Sequence, residues 1–125
     1  MSTPAILERL KRIALAWPNL DLGESYGTPA FKVKGKSLAW LRADGILVIK
    51  VDAILRDILM QAEPATYFIT DHYRGVQPSG WTYLLVRLES VGDSDLSDLF
   101  ERAWRQVAPK RLVAEYDKAQ SARDS

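Results

Sequence analysis

Three lysines, Lys32, Lys34 and Lys36, stand at alternate positions around Gly35. In an extended chain Lys32 and Lys34 share a face, with Phe31 and Val33 opposite. Cations at that spacing straddle phosphates, and a two-stranded ribbon carrying them fits a nucleic-acid groove. The plainer reading is that they keep a hairpin soluble and block edge-to-edge pairing. Lys50 adds a cation further along. A second cluster, Thr70-Asp71-His72-Tyr73-Arg74-Gly75, holds the sole histidine. There His72, Tyr73 and Arg74 suit anion or partner recognition; the alternative is a loop whose polar side chains bond their own backbone.

Other chemistry is poorly provided for. Acid–base work needs His72 beside a nucleophile or a substrate proton, and Asp71, its sequence neighbour, need not meet it as a catalytic partner would. There is no Gly-x-Ser-x-Gly elbow and no cysteine to supply a nucleophile. One histidine and no cysteine leave only carboxylates for a metal, and Asp93, Asp95 and Asp98 read better as helix-start residues than as a calcium loop. Neither a Gly-x-Gly-x-x-Gly nor a Walker-type loop is present. The expectation is a binding module with no catalytic constellation, no cofactor and no metal. Arg102, Arg105, Lys110 and Arg111 gather where the last two helices meet. Lys110 and Arg111 oppose the helix dipole there, which either marks an anion site or costs a few tenths of a kcal/mol to no purpose.

These residues need a scaffold, and 125 residues suit one domain with its own core. Hydrophobic residues at 47% and charged residues at 26% are globular values. Net charge is only +1, which excludes a polyelectrolyte, but residues 31–60 carry six basic and three acidic groups, a local +3. Residues 61–100 carry a local −4. No apolar run approaches the roughly 20 residues that span a bilayer. Met1-Ser2-Thr3-Pro4 lacks a signal-peptide layout, and the chain lacks cysteine, so a cytoplasmic protein is expected.

Periodicity sets the elements. A helix is expected from Pro4 to Ala16, capped by Thr3, with Ile6, Leu7, Leu10, Ile13, Ala14 and Trp17 on one face. Asn19 to Tyr26 reads as a turn-rich connection with at most a short strand near Glu24–Tyr26. Phe31–Lys34 and Ser37–Leu41 form a hairpin around Gly35-Lys36, and Ile46–Val51 follows the Asp44-Gly45 turn. Asp52 caps a second helix that buries Ile54, Leu55, Ile58, Leu59 and Ala62. Tyr67–Ile69 is a short strand, Thr70 to Gly80 a loop, and Trp81–Leu88 a strong strand. A helix from Ser94 or Asp95 buries Leu96, Leu99, Phe100, Ala103, Trp104 and Val107. Pro109 opens a last short helix with Leu112, Val113 and Tyr116, so the domain spans 1–118 and a polar tail, 119–125, frays. The result is a two-layer α+β fold: an antiparallel meander sheet with an N-terminal helix, a middle helix and two C-terminal helices.

Alternation also divides the sheet. Leu47, Ile49 and Val51 with Leu84, Val86 and Leu88 pack under the helices. Ile46, Val48 and Lys50 with Trp81, Tyr83, Leu85 and Arg87 form a second face, mixing aromatic, aliphatic and basic groups. One layer of helices cannot cover both. The second face requires another protomer, a ligand, or the Thr70–Gly80 loop folded back. Trp81, Tyr83 and Arg87 are its candidate ligand or partner residues, which makes a protein-interaction or small-ligand module, with a homodimer as one form, the alternative to nucleic-acid binding.

Several strings together resemble the YjbR/MmcQ-like family: Tyr26-Gly27-Thr28-Pro29-Ala30-Phe31-Lys32-Val33-Lys34-Gly35-Lys36, Asp44-Gly45 with Leu47-Val48-Ile49-Lys50, Thr70-Asp71-His72-Tyr73-Arg74-Gly75, and Ala103-Trp104-Arg105 with Ala108-Pro109-Lys110-Arg111-Leu112. The resemblance runs from the first helix to about Lys118. It implies a small α+β fold of helices on antiparallel strands. It also implies DNA binding, through likeness to a double-wing DNA-binding domain, and carries no catalytic residues. More typical members place Lys and Trp before the last long strand, where this chain has Ser79-Gly80-Trp81. With that, the residues expected to meet nucleic acid are Lys32, Lys34, Lys36, Lys50, His72 and Arg74; DNA is the expected partner, with no membrane and no metal.

Overall fold

In a computed structural model that describes residues 3–124, the chain begins with helix α1 (Thr3–Ala14) and then four strands: β1 (Leu20–Ser25), β2 (Thr28–Val33), β3 (Lys36–Leu41) and β4 (Ile46–Asp52). Helix α2 (Ala53–Ala62), the two-residue strand β5 (Tyr67–Phe68) and a 3-10 turn at Asp71–Tyr73 follow. Strand β6 (Trp81–Arg87) and helices α3 (Asp93–Val107) and α4 (Lys110–Asp124) complete the order. The cap expected of Thr3, the N-terminal layout read from Met1-Ser2 and the end of the tail at Ser125 fall outside the described residues or side chains.

The six strands form one antiparallel sheet in the order β1-β2-β3-β4-β6-β5. Two-residue turns join β1 to β2 and β2 to β3. Tyr26 and Gly27 have φ of 51° and 81°, and Lys34 and Gly35 have 49° and 82°. Paired positive φ values give the type I′ turn, whose twist matches that of the strands it joins. The second turn is therefore Lys34-Gly35, one residue earlier than the expected Gly35-Lys36.

The α+β class and the meander are as the sequence indicates. All helices pack on one face, where Phe31, Leu47, Ile49, Leu84 and Val86 meet Leu10, Leu96, Phe100 and Trp104 in the main core. Phe31 and Phe100 pack edge-to-face at 5.4 Å. Trp104 is fully buried, and its indole N–H donates to the Pro18 carbonyl at 2.8 Å. Asp52 caps α2 as expected, its carboxylate accepting from the amides of Ile54 and Leu55.

Three expectations need correction. The connection after α1 is a six-residue strand: Leu20 and Leu22 pair with Val33 and Phe31, and cross-strand packing overrides the local turn-forming composition. On α2, Leu55 and Leu59 pack on the core, but Ile54 and Ile58 are 72% and 57% exposed. Arg56 is buried and hydrogen-bonded to Thr82 of β6, which turns that stripe of the helix to solvent. Finally, α4 is longer than the short helix expected and continues through Asp124, so residues 119–124 are helical. Ala, Gln, Arg and Lys favour a helix even where no core face is present.

Candidate functional site

The second face of the sheet is half covered. Segment 70–80 folds back along β6, one of the three covers expected for that face. Tyr73 lays its ring over Trp40 of β3 and Tyr83 of β6, with centroids 6.3 and 5.9 Å away; Trp40 and Tyr83 are 5.2 Å apart. Beneath them Val48 and Leu85 are fully buried, as is Ala30 opposite Trp40. Burial, with Tyr73 nearby, pushes the Tyr83 phenol above its ordinary value.

Beyond this aromatic cluster the face stays open as a recess of about 640 Å³. Ser25, Tyr26 and Thr28 of the β1–β2 turn border one side, and His72 and Tyr73 the other. Trp40 and Ser37 come from β3, and Arg42, Ala43 and Asp44 from the β3–β4 turn. Arg42 Nη2 lies 2.7 Å from Asp44 Oδ2, while Asp44 Oδ1 accepts from the Ile46 amide at 3.2 Å. His72 is exposed and stacks edge-to-face on Tyr73 at 4.7 Å.

The expected site residues divide. Lys32 sits on this second face, in register with Ser37 on one side and Asp21 on the other. Lys50 is on the same face opposite Tyr83. Lys34 is exposed in the β2–β3 turn, and Lys36 is exposed at the start of β3, in register with Val33. None of the four lysines forms an ion pair among the described residues. Of the acids at the start of α3, Asp93 pairs with Arg9 and Arg12 of α1, while Asp95 and Asp98 line a separate recess with Tyr67 and Arg102. Arg74 is less available, with Asp71 at 2.6 Å. Arg87 stacks over Phe68 at 4.0 Å and donates to the Ala65 carbonyl. Tyr83 is partly covered by Tyr73, and Trp81 lies apart, in a separate recess with Lys50, Gln77 and Gln106. At the α3–α4 junction Arg105 is held by Glu101 and Asp117, which leaves it a poor anion ligand.

Tyr26, Trp40 and Arg42 were not singled out by sequence. Trp40 reaches the second face because of an irregularity in β2–β3 pairing between Phe31 and Lys32. Leu38 and Ala39 are consequently both buried, and strict alternation from Ser37 would put Trp40 on the wrong face. Tyr26 had a readable signal, since a bulky residue before glycine in a two-residue turn must point outward.

Residues 15–106 match the sequence model of the YjbR family. The chain belongs to the YjbR family. This YjbR domain is 40% identical over 55 residues to uncharacterised proteins of Mycobacterium bovis and Mycobacterium tuberculosis. The match covers 44% of this chain and 39% of the length of those curated relatives. A crystal structure of the Deinococcus radiodurans protein DR2400, a DUF419 domain, superposes with a TM-score of 0.67. It is 22% identical, covering 83% of this chain and 79% of that chain, and so reports on the fold.

Proposed function

We infer that this domain is a non-catalytic nucleic-acid-binding module acting in the cytoplasm, with DNA as the first candidate partner. One observation carries the reading: Lys32 and Lys50 share the face that holds the open aromatic recess, Lys34 and Lys36 are exposed at and just after the β2–β3 turn, and none of the four forms an ion pair among the described residues. Phosphate contacts of this kind fix a strand without reading its sequence. His72 suits the same role, being exposed beside the recess with its ring against Tyr73. Arg74 contributes only if it leaves Asp71.

Fluorescence anisotropy with labelled DNA and RNA, titrated with salt, tests this. The logarithm of affinity is expected to fall linearly with the logarithm of salt concentration. Lys34→Ala and Lys36→Ala should each flatten the slope by about 1, the share of one phosphate contact. Absence of binding at low salt would end the reading. A second reading, a small-ligand module, is favoured by the recess volume, which lies within the range of ligand pockets. Calorimetry with free nucleotides and light scattering for a homodimer address it.

A further inference from the structure

Four ring-bearing side chains, Tyr26, Trp40, His72 and Tyr73, border the open recess. The formal charges of its other lining residues cancel in the Arg42–Asp44 pair. Hydroxyls of Ser25, Thr28 and Ser37 supply neutral polar groups at the rim. Such a lining does not suit a bare anion. It suits a planar heteroaromatic ring, which stacks on the aromatic faces and hydrogen-bonds at its edges.

Charge appears where the recess ends. Ser37, in the lining, is in register with Lys32 on the neighbouring strand. Lys32 lies four residues along β2 from Thr28, about 13 Å at the usual strand rise. Tyr26 adds an independent point. Its side chain is fully exposed, with a relative accessibility of 104%, and its φ is 51°. The ring contributes nothing to the core, and the left-handed backbone disfavours a bulky side chain such as that of tyrosine. What Tyr26 offers is an aromatic face beside the recess.

The geometry points to an unpaired nucleobase as the occupant: the domain binds single-stranded nucleic acid, with one base stacked among Tyr26, Trp40 and Tyr73 and the backbone running toward Lys32. This rests on the lysines being phosphate contacts. It goes further in naming strandedness, because a duplex exposes no base face until a pair is opened. Stacking makes the recess tolerant of base identity, as every base has a π-face.

The test measures anisotropy at low salt with a labelled strand of roughly 10 nucleotides, as DNA and as RNA, and with the DNA duplex of the same sequence. Wild type, Tyr26→Ala and Lys34→Ala are compared, and circular dichroism confirms that each is folded. The single strand is expected to bind at least about 10-fold tighter than the duplex. Tyr26→Ala should remove about 10-fold of single-strand affinity, the size of one base–aromatic stack, and leave duplex binding unchanged. An abasic strand of the same length should bind wild type and Tyr26→Ala alike. Equal affinity for strand and duplex, unmoved by Tyr26→Ala but weakened by Lys34→Ala, would overturn the base-stacking inference and leave the phosphate reading standing. Failure of every nucleic acid to bind would remove both. A dimer in light scattering that Tyr26→Asp dissociates would give the recess to a second copy of the chain and also overturn the inference.

Discussion

The Arg56 guanidinium donates to the Thr82 hydroxyl at 2.7 Å, and Arg56 forms no ion pair among the described residues. The same Nη1 donates to the Tyr73 carbonyl at 3.1 Å, and Nη2 reaches the Arg74 carbonyl at 3.5 Å, a weak contact. Thr82 in turn donates to the Gly75 carbonyl at 2.6 Å. A buried cation on α2 thus ties β6 to residues 73–75, the stretch that holds the Tyr73 ring over Trp40. The recess wall is positioned by a helix on the other side of the sheet.

Arg56→Met should therefore loosen the recess as well as the fold. Loss of hydrogen bonds from a charged donor predicts about 2 kcal/mol of destabilisation in urea titration. Amide exchange at Tyr73–Gly75 should rise more than elsewhere, reporting local opening. Unchanged protection there would show that Tyr73 packing alone holds the segment.

Tyr26 predicts a separation of stability from binding. Its left-handed backbone favours glycine or asparagine, so Tyr26→Asn should stabilise the fold by about 0.5–1 kcal/mol. The same variant should weaken single-strand binding. Strain retained at a binding position has this signature. A fall in the urea midpoint would instead make Tyr26 a structural residue.

The acid side of the stability profile follows from two ion pairs. The Arg9 guanidinium, hydrogen-bonded to Asp93, holds that carboxyl below its ordinary 3.8, and Arg12 adds to the effect. Arg105 does the same for Asp117. A carboxyl depressed in the folded state contributes stability above its unfolded pKa and loses it as pH falls through the lower folded value. Stability should thus decline below about pH 4, gently, because both carboxylates are more than half exposed and salt screens them. Urea titrations at neutral and acid pH check this: Asp93→Asn with Asp117→Asn should flatten the difference, and an unchanged difference would place the acid sensitivity elsewhere.

Much of the fold was legible in the sequence because it depends on local rules. The 3.6-residue spacing of Leu10 and Ala14, and of Leu96, Leu99, Phe100 and Ala103, identifies the buried helix faces; the alternation in Leu47–Val51 and Leu84–Leu88 identifies the strand faces. Asp52 declares its cap by type and position. Legible too were the lysines and the polar loop, because their charge does not depend on the fold.

The site itself is a tertiary product. Trp40 joins it through a pairing irregularity between β2 and β3, which no pattern within β3 encodes. Ile54 and Ile58 point to solvent because the buried Arg56 contact decides how α2 is rotated, and that contact links residues 26 positions apart. Tyr73 meets Trp40 only because segment 70–80 folds back along β6. Local spacing determines which face a side chain takes within its own element; register between strands and the path of a returning loop depend on distant partners, so only the assembled sheet could bring Tyr26, Trp40, His72 and Tyr73 around one recess.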